Sequence, residues 1–236
     1  MSRQALATSL PKLIYFAERR AHMDASAFRA RWREHARLGM SMPRWRNVRR
    51  YVHCDSIAGA DSLLPLAYCD GVAIIWYRDE ARRLRHIADS SAAPLMQADE
   101  ADTFARPVRE VALLADEFVF ATGNAASKLF LRFWREAPIS LADFRAWWLL
   151  EAGPELNRRL AGAGIDSGYV QNHARLQSDG VPSPALCDCV DEFDCSDRPA
   201  LENLLLAAFS EIDGFTRHVN RYGAIWTAQS VLHDDP

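Results

Sequence analysis

The stretch FRARWREH, Phe28–His35, returns later in the chain as FRAWWLLE, Phe144–Glu151. The two phrases start 116 residues apart (144 minus 28), and the same offset carries Trp32 onto Trp148. Self-similarity at a fixed offset is the signature of an internal duplication. We therefore interpret the chain as two copies of one structural unit, in which the first phrase ends in histidine and the second in glutamate.

The similarity between the copies extends beyond this phrase. Lys12-Leu13 pairs with Lys128-Leu129 at the same offset, and at an offset of 118 Tyr51-Val52 pairs with Tyr169-Val170 and Cys69-Asp70 with Cys187-Asp188. A two-residue insertion explains the change of offset. Between the copies, ATGNAAS at 121–127 is short, small and polar, which is typical of a linker. We predict a first repeat at residues 1–122, a linker at 123–127 and a second repeat at 128–236.

Each copy predicts the element order β-α-β-β-α-β. In the first copy a strand at Lys12–Glu18 precedes Asp24, which stands where a helix N-cap belongs. In the second copy the equivalent cap is Ser140, and Asp143 completes a capping-box pattern. The other elements predicted in the first copy are strands NVRRYVH, GVAIIWY and VREVALLADEFVF and helix DEARRLRHIADS. Those predicted in the second copy are strands KLFLRFW, SGYVQNHA, CDCVDEF and HVNRYGAIWTAQSVL and helix RPALENLLLAAFS. This is an α+β fold of two tandem ferredoxin-like repeats.

Four of these phrases carry a resemblance to a known family. FRARWREH, YVQNHA, CDGVAIIWY and DTF are similar to the EthD-like members of the dimeric α/β barrel superfamily, and the similarity spans nearly all of both copies. In that family two chains normally make the barrel. The resemblance therefore implies that this chain forms a dimeric-type α/β barrel by itself, with each sheet covering the face that the helices of its own repeat leave open.

Composition and charge exclude several classes of protein. With 28 basic against 31 acidic residues the net charge is -3, which offers no electrostatic footprint for nucleic acid. The N-terminus lacks the apolar core of a signal peptide, and no apolar run reaches the roughly 18 residues of a membrane span. We expect a soluble, cytoplasmic protein with no membrane partner. Five cysteines in a chain of this size predict reduced thiols rather than a disulfide framework.

The helix histidine is the first candidate for chemistry. His35 lies one turn after Trp32 on the same helix face, and an imidazole can shuttle protons near neutral pH. The alternative is a helix-terminal histidine bonded to backbone or solvent; the resemblance favours a functional role, because the family's helix histidine matches here. The second copy carries Glu151 at this position, which departs from the family.

A row of polar side chains on one strand is the second candidate. Alternation places one set of side chains on a single strand face in each copy: Tyr51, His53 and Asp55 in the first, and Tyr169, Gln171 and His173 in the second. These rows face either a cavity or solvent near the end of the strand. We predict that the first copy holds the active pocket, with His35 as base and His53 or Tyr51 as its helper, and that Glu151 with His173 forms the rival pair.

The remaining candidates would shape a pocket. Cys69 could act as a nucleophile if a neighbour lowered its pKa, with Tyr68 as an aromatic wall, although a small buried hydrophobic residue is the more common role. The predicted substrate-binding residues are Trp32, Tyr68, Cys69, Trp148 and Tyr169. Cys187 and Cys189 have no second ligand pair at zinc spacing, so no metal site is predicted.

The leading functional hypothesis is an enzyme without a cofactor. The sequence contains no phosphate loop, dinucleotide fingerprint or Gly-x-Ser-x-Gly elbow. The resemblance implies relatives that isomerise lactones, cyclise or dehydrate polyketide-like compounds, or oxygenate activated phenolics, so an isomerase, lyase or monooxygenase of aromatic degradation is expected. The partner would be a small apolar or aromatic substrate, and the assembly a monomeric pseudo-dimer or a homodimer of it. The alternatives are a non-catalytic ligand-binding or accessory protein and, third, a haem protein.

Overall fold

The computed structural model describes residues 5–8, 10–57, 62–91, 93–175 and 186–235. The strands are β1 Leu6–Ala7, β2 Lys12–Ala17, β3 Val48–Ser56, β4 Gly71–Tyr77, β5 Ala112–Ala121, β6 Ser127–Arg135, β7 Ser167–Ala174, β8 Cys189–Cys195 and β9 Val219–Asp234. The helices are α1 Ala25–Ser41, α2 Glu80–Ala88, α3 Ala93–Thr103, α4 Leu141–Trp147, α5 Gly153–Gly162, α6 Arg198–Glu211 and α7 Phe215–His218. Strands and helices thus follow the order predicted in both copies.

The chain divides into two compact units. The unit that we call the N-terminal unit comprises residues 9–56, 69–115 and 229–236, and the C-terminal unit comprises residues 1–8, 57–68 and 116–228. Strands β5 and β9 therefore each contribute residues to both units. Because this division follows contacts in space, it is not a division at the predicted linker, whose bounds stay a prediction.

The N-terminal unit is an antiparallel sheet with helices on one face. Its strand order is β5-β2-β4-β3, followed by the end of β9. Pairing of Tyr15 with both Ala73 and Ala112 fixes the register, and Tyr51 pairs with Ile75. Alternation then turns Tyr15, Ala73 and Tyr51 toward α1, where they form a core with Phe28 and Trp32. The polar row predicted on β3 therefore faces the helix and not bulk solvent.

The C-terminal unit repeats this arrangement with a larger aromatic core. Its strand order is β7-β8-β6-β9, with the end of β5 beside β7. Leu129, Leu131 and Phe133 from β6 pack against Trp148 and other buried residues of the helices. Burial of large aromatic side chains contributes most of the stabilisation in such a core.

Helix starts follow the predicted caps. The Asp24 side chain accepts a hydrogen bond from the Ala27 backbone N–H at 2.8 Å. The Ser140 hydroxyl accepts one from the Asp143 backbone N–H at 3.0 Å, as in a capping box. Each bond satisfies one of the unpaired N–H groups of the first helical turn.

Three elements differ from the sequence-based expectation. The segment after β4 forms two helices, α2 and α3, where one was predicted, and β5 begins at Ala112 because Val108–Glu110 forms a 3-10 turn. In the second copy, a π turn at Trp148–Ala152 separates α4 from α5. Pro154 follows this turn, and since proline has no N–H to bond four residues back, the helix widens there.

No helix within the described ranges is long and apolar enough to span a membrane. In the same ranges, no three His, Cys, Asp or Glu side chains are grouped to hold a metal ion.

Candidate functional site

Trp32 organises the core of the N-terminal unit. Its indole ring stacks on the His53 ring with centroids 3.8 Å apart, and its Nε1–H donates to the Tyr15 hydroxyl at 3.1 Å. Gly71 makes this position available, because a Cβ there would lie 2.3 Å from the Trp32 ring. Both Trp32 and His53 are fully buried. Trp32 therefore fills the space beside His53 that a ligand would need.

A chain of hydrogen bonds continues from this ring. The Tyr15 and Tyr51 hydroxyls are 2.9 Å apart, and the Tyr51 hydroxyl is 2.5 Å from His53 Nε2. On the other side of the imidazole, an Arg33 guanidinium nitrogen lies 2.6 Å from His53 Nδ1, and Arg33 also pairs with Asp55 at 2.6 Å. Because a guanidinium only donates, Nδ1 must accept and Nε2–H must donate to Tyr51.

His53 is consequently held neutral. Burial lowers its pKa well below the usual value, and the neighbouring Arg33 charge lowers it further. With Nδ1 occupied by Arg33 and Nε2 protonated, the ring acts as a hydrogen-bond donor that positions Tyr51. His53 and Tyr51 are therefore held by neighbouring side chains and do not face open space.

His35 has a different environment. Its Nδ1 lies 2.6 Å from Asp99 Oδ2, and Arg31 pairs with the same carboxylate. Burial lowers the pKa of His35, and the hydrogen bond to Asp99 opposes that decrease. Burial also opposes ionisation of Asp99, but its hydrogen bonds from Arg31 and His35 bring the pKa of that carboxyl below its usual value. The pair is thus a neutral imidazole beside an ionised carboxylate.

This His35–Asp99 pair leaves one imidazole nitrogen available. With Nδ1–H donating to Asp99, the lone pair is on Nε2, which makes no hydrogen bond within the described part of the chain. A carboxylate that fixes the tautomer of a histidine and stabilises the imidazolium is the arrangement of a general base. Asp99 was not identified from the sequence; it lies on α3, and 64 residues separate it from His35.

A cavity of about 670 Å³ lies beside this pair in the N-terminal unit. Its apolar walls include Leu13, Ile87, Phe104, Val108, Ala112 and Leu114, and its polar lining comprises Arg20, Tyr77, Arg83, Gln97, Glu100 and Arg109. Phe104 connects the two features, because its ring lines the cavity and also packs edge-on against the His35 ring at 5.0 Å. The volume and the mainly apolar walls suit a small organic molecule.

The C-terminal unit places a buried carboxylate where the first copy has Ala73. Asp191 accepts hydrogen bonds from Trp148 Nε1 at 3.1 Å, from the Tyr169 hydroxyl at 3.0 Å and from the Cys189 thiol at 3.3 Å. Burial raises the pKa of Asp191 to about 7, although these donors work against the increase. Asp191 was missed in the sequence analysis, where alternation along β8 could have placed it on the apolar face with Cys189 and Phe193.

Gln171 and His173 complete this network. Gln171 Nε2 donates to the Tyr169 hydroxyl at 2.7 Å and to the Trp148 carbonyl at 3.1 Å, while Gln171 Oε1 is 2.9 Å from His173 Nε2. The bond to Gln171 Oε1 requires a proton on His173 Nε2. Burial lowers the pKa of His173 to about 3, so the ring is neutral. Its Nδ1 is buried without a hydrogen-bond partner.

The two units differ in what fills the space under the helices. Leu13 and Leu129 are equivalent in the two copies; Leu13 pairs with Leu114, which lines the cavity, whereas Leu129 pairs with Trp226. Trp226 is 3% exposed, and its Nε1–H donates to Glu202 at 2.6 Å. A tryptophan in the C-terminal unit thus occupies the register position at which the N-terminal unit has a leucine and an open cavity.

The other predicted residues are not brought together. Glu151 is exposed on the π turn, whereas His173 is 1% exposed, and no hydrogen bond joins them among the residues described. Trp148 and Tyr169 are core residues. Tyr68 is 63% exposed, and Cys69 is buried, with its sulfur 3.7 Å from the Ser56 hydroxyl. These positions neither line the cavity nor contact His35.

Comparison with known proteins supports the resemblance seen in the sequence. Residues 20–107 match the EthD domain family. Among curated proteins none matches the chain significantly.

Solved structures share the fold at very low identity. A mutant chlorite dismutase from Candidatus Nitrospira defluvii is 10% identical with a TM-score of 0.54, over 94% of this chain and 92% of that one. Chlorite dismutase of the same organism in complex with imidazole gives 0.53 at 10% identity over the same shares. A candidate monooxygenase from Lactobacillus acidophilus NCFM gives 0.50 at 10% identity over 96% of both chains. The expected α+β class is confirmed, and the similarity in fold to chlorite dismutase extends over 94% of this chain.

Proposed function

We propose that the protein is an enzyme that binds a small, mainly apolar or aromatic molecule in the cavity of the N-terminal unit; the match of residues 20–107 to the EthD domain family supports this. His35 would transfer a proton of that molecule. The observation that supports this proposal is the His35–Asp99 pair. The His35 imidazole packs against Phe104, which also lines the cavity. A polarising carboxylate, a neutral imidazole and an adjoining apolar cavity are the parts that general-base catalysis requires.

The proposed chemistry is proton abstraction next to a carbonyl. His35 Nε2 would take the proton while Asp99 holds Nδ1–H and stabilises the imidazolium. Tyr77 lines the cavity, and burial raises the pKa of its phenol to about 12, so it stays protonated and can donate to a developing oxyanion. Return of the proton at another carbon gives isomerisation, and loss of a leaving group gives elimination. This step needs no organic cofactor.

Phe104 is part of the proposal. Phe104 lines the cavity and packs against the His35 ring, so we propose that a substrate atom comes within reach of Nε2 when the Phe104 ring turns aside. Reacting groups must approach to about 3 Å for proton transfer. Phe104→Leu keeps an apolar wall but shortens it, and we expect it to alter turnover more than binding.

A tandem origin of the two units belongs to the same proposal. The matched helix phrases, the shared cap positions and the same element order in residues 1–122 and 128–236 support two ferredoxin-like repeats within one chain. The second repeat has exchanged a cavity for the Trp226 side chain. We propose that the first repeat is active and that the second is a structural partner.

Haem does not suit the cavity. Its lining within the described ranges includes no imidazole, thiolate or thioether that could ligate the iron. The phenol of Tyr77 keeps its proton because its pKa is about 12, so it is a poor axial ligand. We expect haemin added at equimolar concentration to keep the broad Soret band of free haemin; a sharpened, shifted Soret band that is lost in Tyr77→Phe would contradict this.

The proposed function is tested with one variant in which the cavity is filled and one variant that lacks the proposed base. Binding of the neutral fluorescent probe N-phenyl-1-naphthylamine reports the cavity, and a panel of enol lactones, polyketide-like ketones and phenolics reports turnover. Leu114→Trp copies the residue of the second repeat and should abolish probe binding and turnover. His35→Gln should keep probe binding and lower turnover at least about 100-fold. His22→Gln, an exposed histidine, is the control. Unchanged turnover in His35→Gln would refute the assignment of the base.

One observation favours a second candidate function, non-catalytic binding of the same class of ligand. No histidine lines the cavity within the described part of the chain, and the lining residue that contacts His35 is Phe104. Under this alternative, probe binding responds to Leu114→Trp, but no compound of the panel is turned over by the wild-type protein.

A further inference from the structure

The charges at the cavity of the N-terminal unit point to the class of molecule that it binds. Three guanidinium groups line it, those of Arg20, Arg83 and Arg109, against the one lining carboxylate within the described ranges, that of Glu100. The walls between them are apolar. We infer that the ligand is an amphipathic anion, with an apolar or aromatic body and a carboxylate, sulfonate or comparable acidic group. This inference rests on the proposed function, because it names the ligand class of the same cavity.

Two of the arginines have no acidic partner among the residues that the structure describes. Arg20 donates to the Ala101 backbone carbonyl, and Arg109 makes no ion pair with any other described residue. Arg83 differs, because Glu80 accepts from its Nε at 2.9 Å. Two other arginines of the same unit are paired with carboxylates, Arg31 with Asp99 and Arg33 with Asp55. The unpaired charges of Arg20 and Arg109 are therefore available to an anion.

The lining carboxylate is partly engaged in holding the cavity together. Glu100 Oε2 accepts a hydrogen bond from the Val108 backbone N–H at 3.3 Å, which ties α3 to the segment that carries Arg109. Glu100 would repel an anionic head group, and the excess of guanidinium over carboxylate still gives the cavity a positive charge. A planar guanidinium binds a carboxylate through two parallel N–H···O bonds, which suits recognition of an acid.

The apolar lining of the cavity indicates that the rest of the ligand is apolar. Leu13, Phe104, Ala112 and Leu114 present only carbon atoms, so the body of the ligand gains free energy from burial rather than from hydrogen bonds. Arg20 and Arg109 are exposed residues of the cavity lining, and we place them at its mouth for that reason. A molecule with its apolar end inside and its acidic group at the mouth satisfies both regions.

A matched pair of probes tests this inference. 8-Anilinonaphthalene-1-sulfonate and N-phenyl-1-naphthylamine share an aromatic body and differ in the sulfonate. Fluorescence titration of the full chain should give a Kd about tenfold lower for the sulfonate probe than for the neutral one. The double variant Arg20→Gln/Arg109→Gln should remove this preference and leave the neutral probe unaffected, whereas Glu100→Gln should strengthen the preference. Raising the salt concentration should weaken only the sulfonate probe.

The control variant is Arg106→Gln. Arg106 lies in the same segment as Arg109 but is outside the cavity and pairs with Glu18 and Glu110. It should change neither Kd. Equal affinities for the two probes in the wild-type protein, or a preference that survives in the double variant, would overturn the inference. If Leu114→Trp abolishes binding of the neutral probe but the wild-type protein does not prefer the sulfonate probe, the proposed cavity is supported and the acidic ligand is refuted. If Leu114→Trp affects the binding of neither probe, the proposed cavity itself is refuted.

Discussion

His35, His53 and His173 are all buried, and the partner of each ring decides what it can do. The His53 ring is fixed by the Arg33 guanidinium, and the His173 ring donates to Gln171. His35 alone among these three has a carboxylate partner, Asp99, at 2.6 Å. From the sequence alone, proton transfer could be assigned to any of these imidazoles. The structure favours His35, because a hydrogen-bond acceptor at Nδ1 leaves Nε2 as the basic atom.

The pKa of His35 is open to direct measurement. Burial lowers this pKa below 6.5, the ordinary value of a histidine side chain, and the hydrogen bond to Asp99 limits the decrease. We expect the imidazole to titrate below pH 6.5 in NMR spectra of protein with isotope-labelled histidine. Asp99→Asn removes the carboxylate charge, so the pKa should decrease further. Asp102→Asn, on the same helix, is the control; an equal shift in both variants would show that the effect is not specific to the pair.

Asp191 predicts a pH dependence of stability. The pKa of Asp191 is about 7 in the folded protein, against an ordinary value of 3.8, so between these pH values the folded state holds a proton that the unfolded state has lost. The stabilisation is fully present below pH 3.8, decreases as the pH rises and is absent above pH 7, with a total of up to about 4 kcal/mol. Asp191→Asn cannot ionise, so its free energy of unfolding in urea should lose this decrease between pH 5 and 8.

The control for this measurement is Asp213→Asn, since the Asp213 side chain is 97% exposed. It should follow the wild-type pH dependence. A wild-type protein whose stability does not decrease between pH 5 and 8 relative to Asp191→Asn would contradict the raised pKa of Asp191.

The packing of α1 against the sheet depends on a glycine, Gly71, which has no side chain. Gly71 begins β4, and the Trp32 ring of α1 lies over it; a Cβ at this position would be 2.3 Å from the ring. Cys189 holds the equivalent position in the second copy, where the Trp148 indole donates instead to Asp191. The same helix phrase thus packs in two ways, according to the strand residue beneath it.

Two glycine variants test this packing. Gly71→Ala should lower the free energy of unfolding by about 1 to 3 kcal/mol, because Trp32 must shift away from His53. Gly162→Ala, at the end of α5, meets no atom within 4 Å and should be neutral or stabilise by up to about 1 kcal/mol. Urea unfolding gives both values, and near-ultraviolet circular dichroism reports the displaced tryptophan. Equal effects of the two substitutions would show that α1 accommodates the methyl group freely.

For the whole molecule, the sequence predicted the order of elements and the helix starts, because those depend on local patterns. Asp24 and Ser140 cap their helices as expected, and the EthD resemblance is confirmed over residues 20–107. The site was only partly predictable. His35 was recognised from its phrase, but Asp99 reaches it through the packing of α1 against α3, a helix that the sequence pattern did not reveal. No local period encodes that contact.

The difference between the two units also could not be predicted from local patterns. The substitution of Leu114 by Trp226 at matched register positions is visible only when the strand pairings of both sheets are known. A shared ancestry would explain the matching order of elements, and this exchange explains why one unit has a cavity of about 670 Å³ at the register position where the other has the buried Trp226 side chain. We therefore expect the two copies to respond in opposite ways to substitutions at this position.

Trp226→Leu is the reciprocal of Leu114→Trp and tests that expectation. Removing the indole opens space in the core and takes one hydrogen bond from Glu202, so the free energy of unfolding should decrease by about 2 to 4 kcal/mol. The opened core should also acquire a new binding site for N-phenyl-1-naphthylamine. Trp134→Leu, at a half-buried tryptophan, is the control and should create no site. A Trp226→Leu protein with wild-type stability and no additional probe binding would show that the indole does not fill the space that the cavity occupies in the first copy.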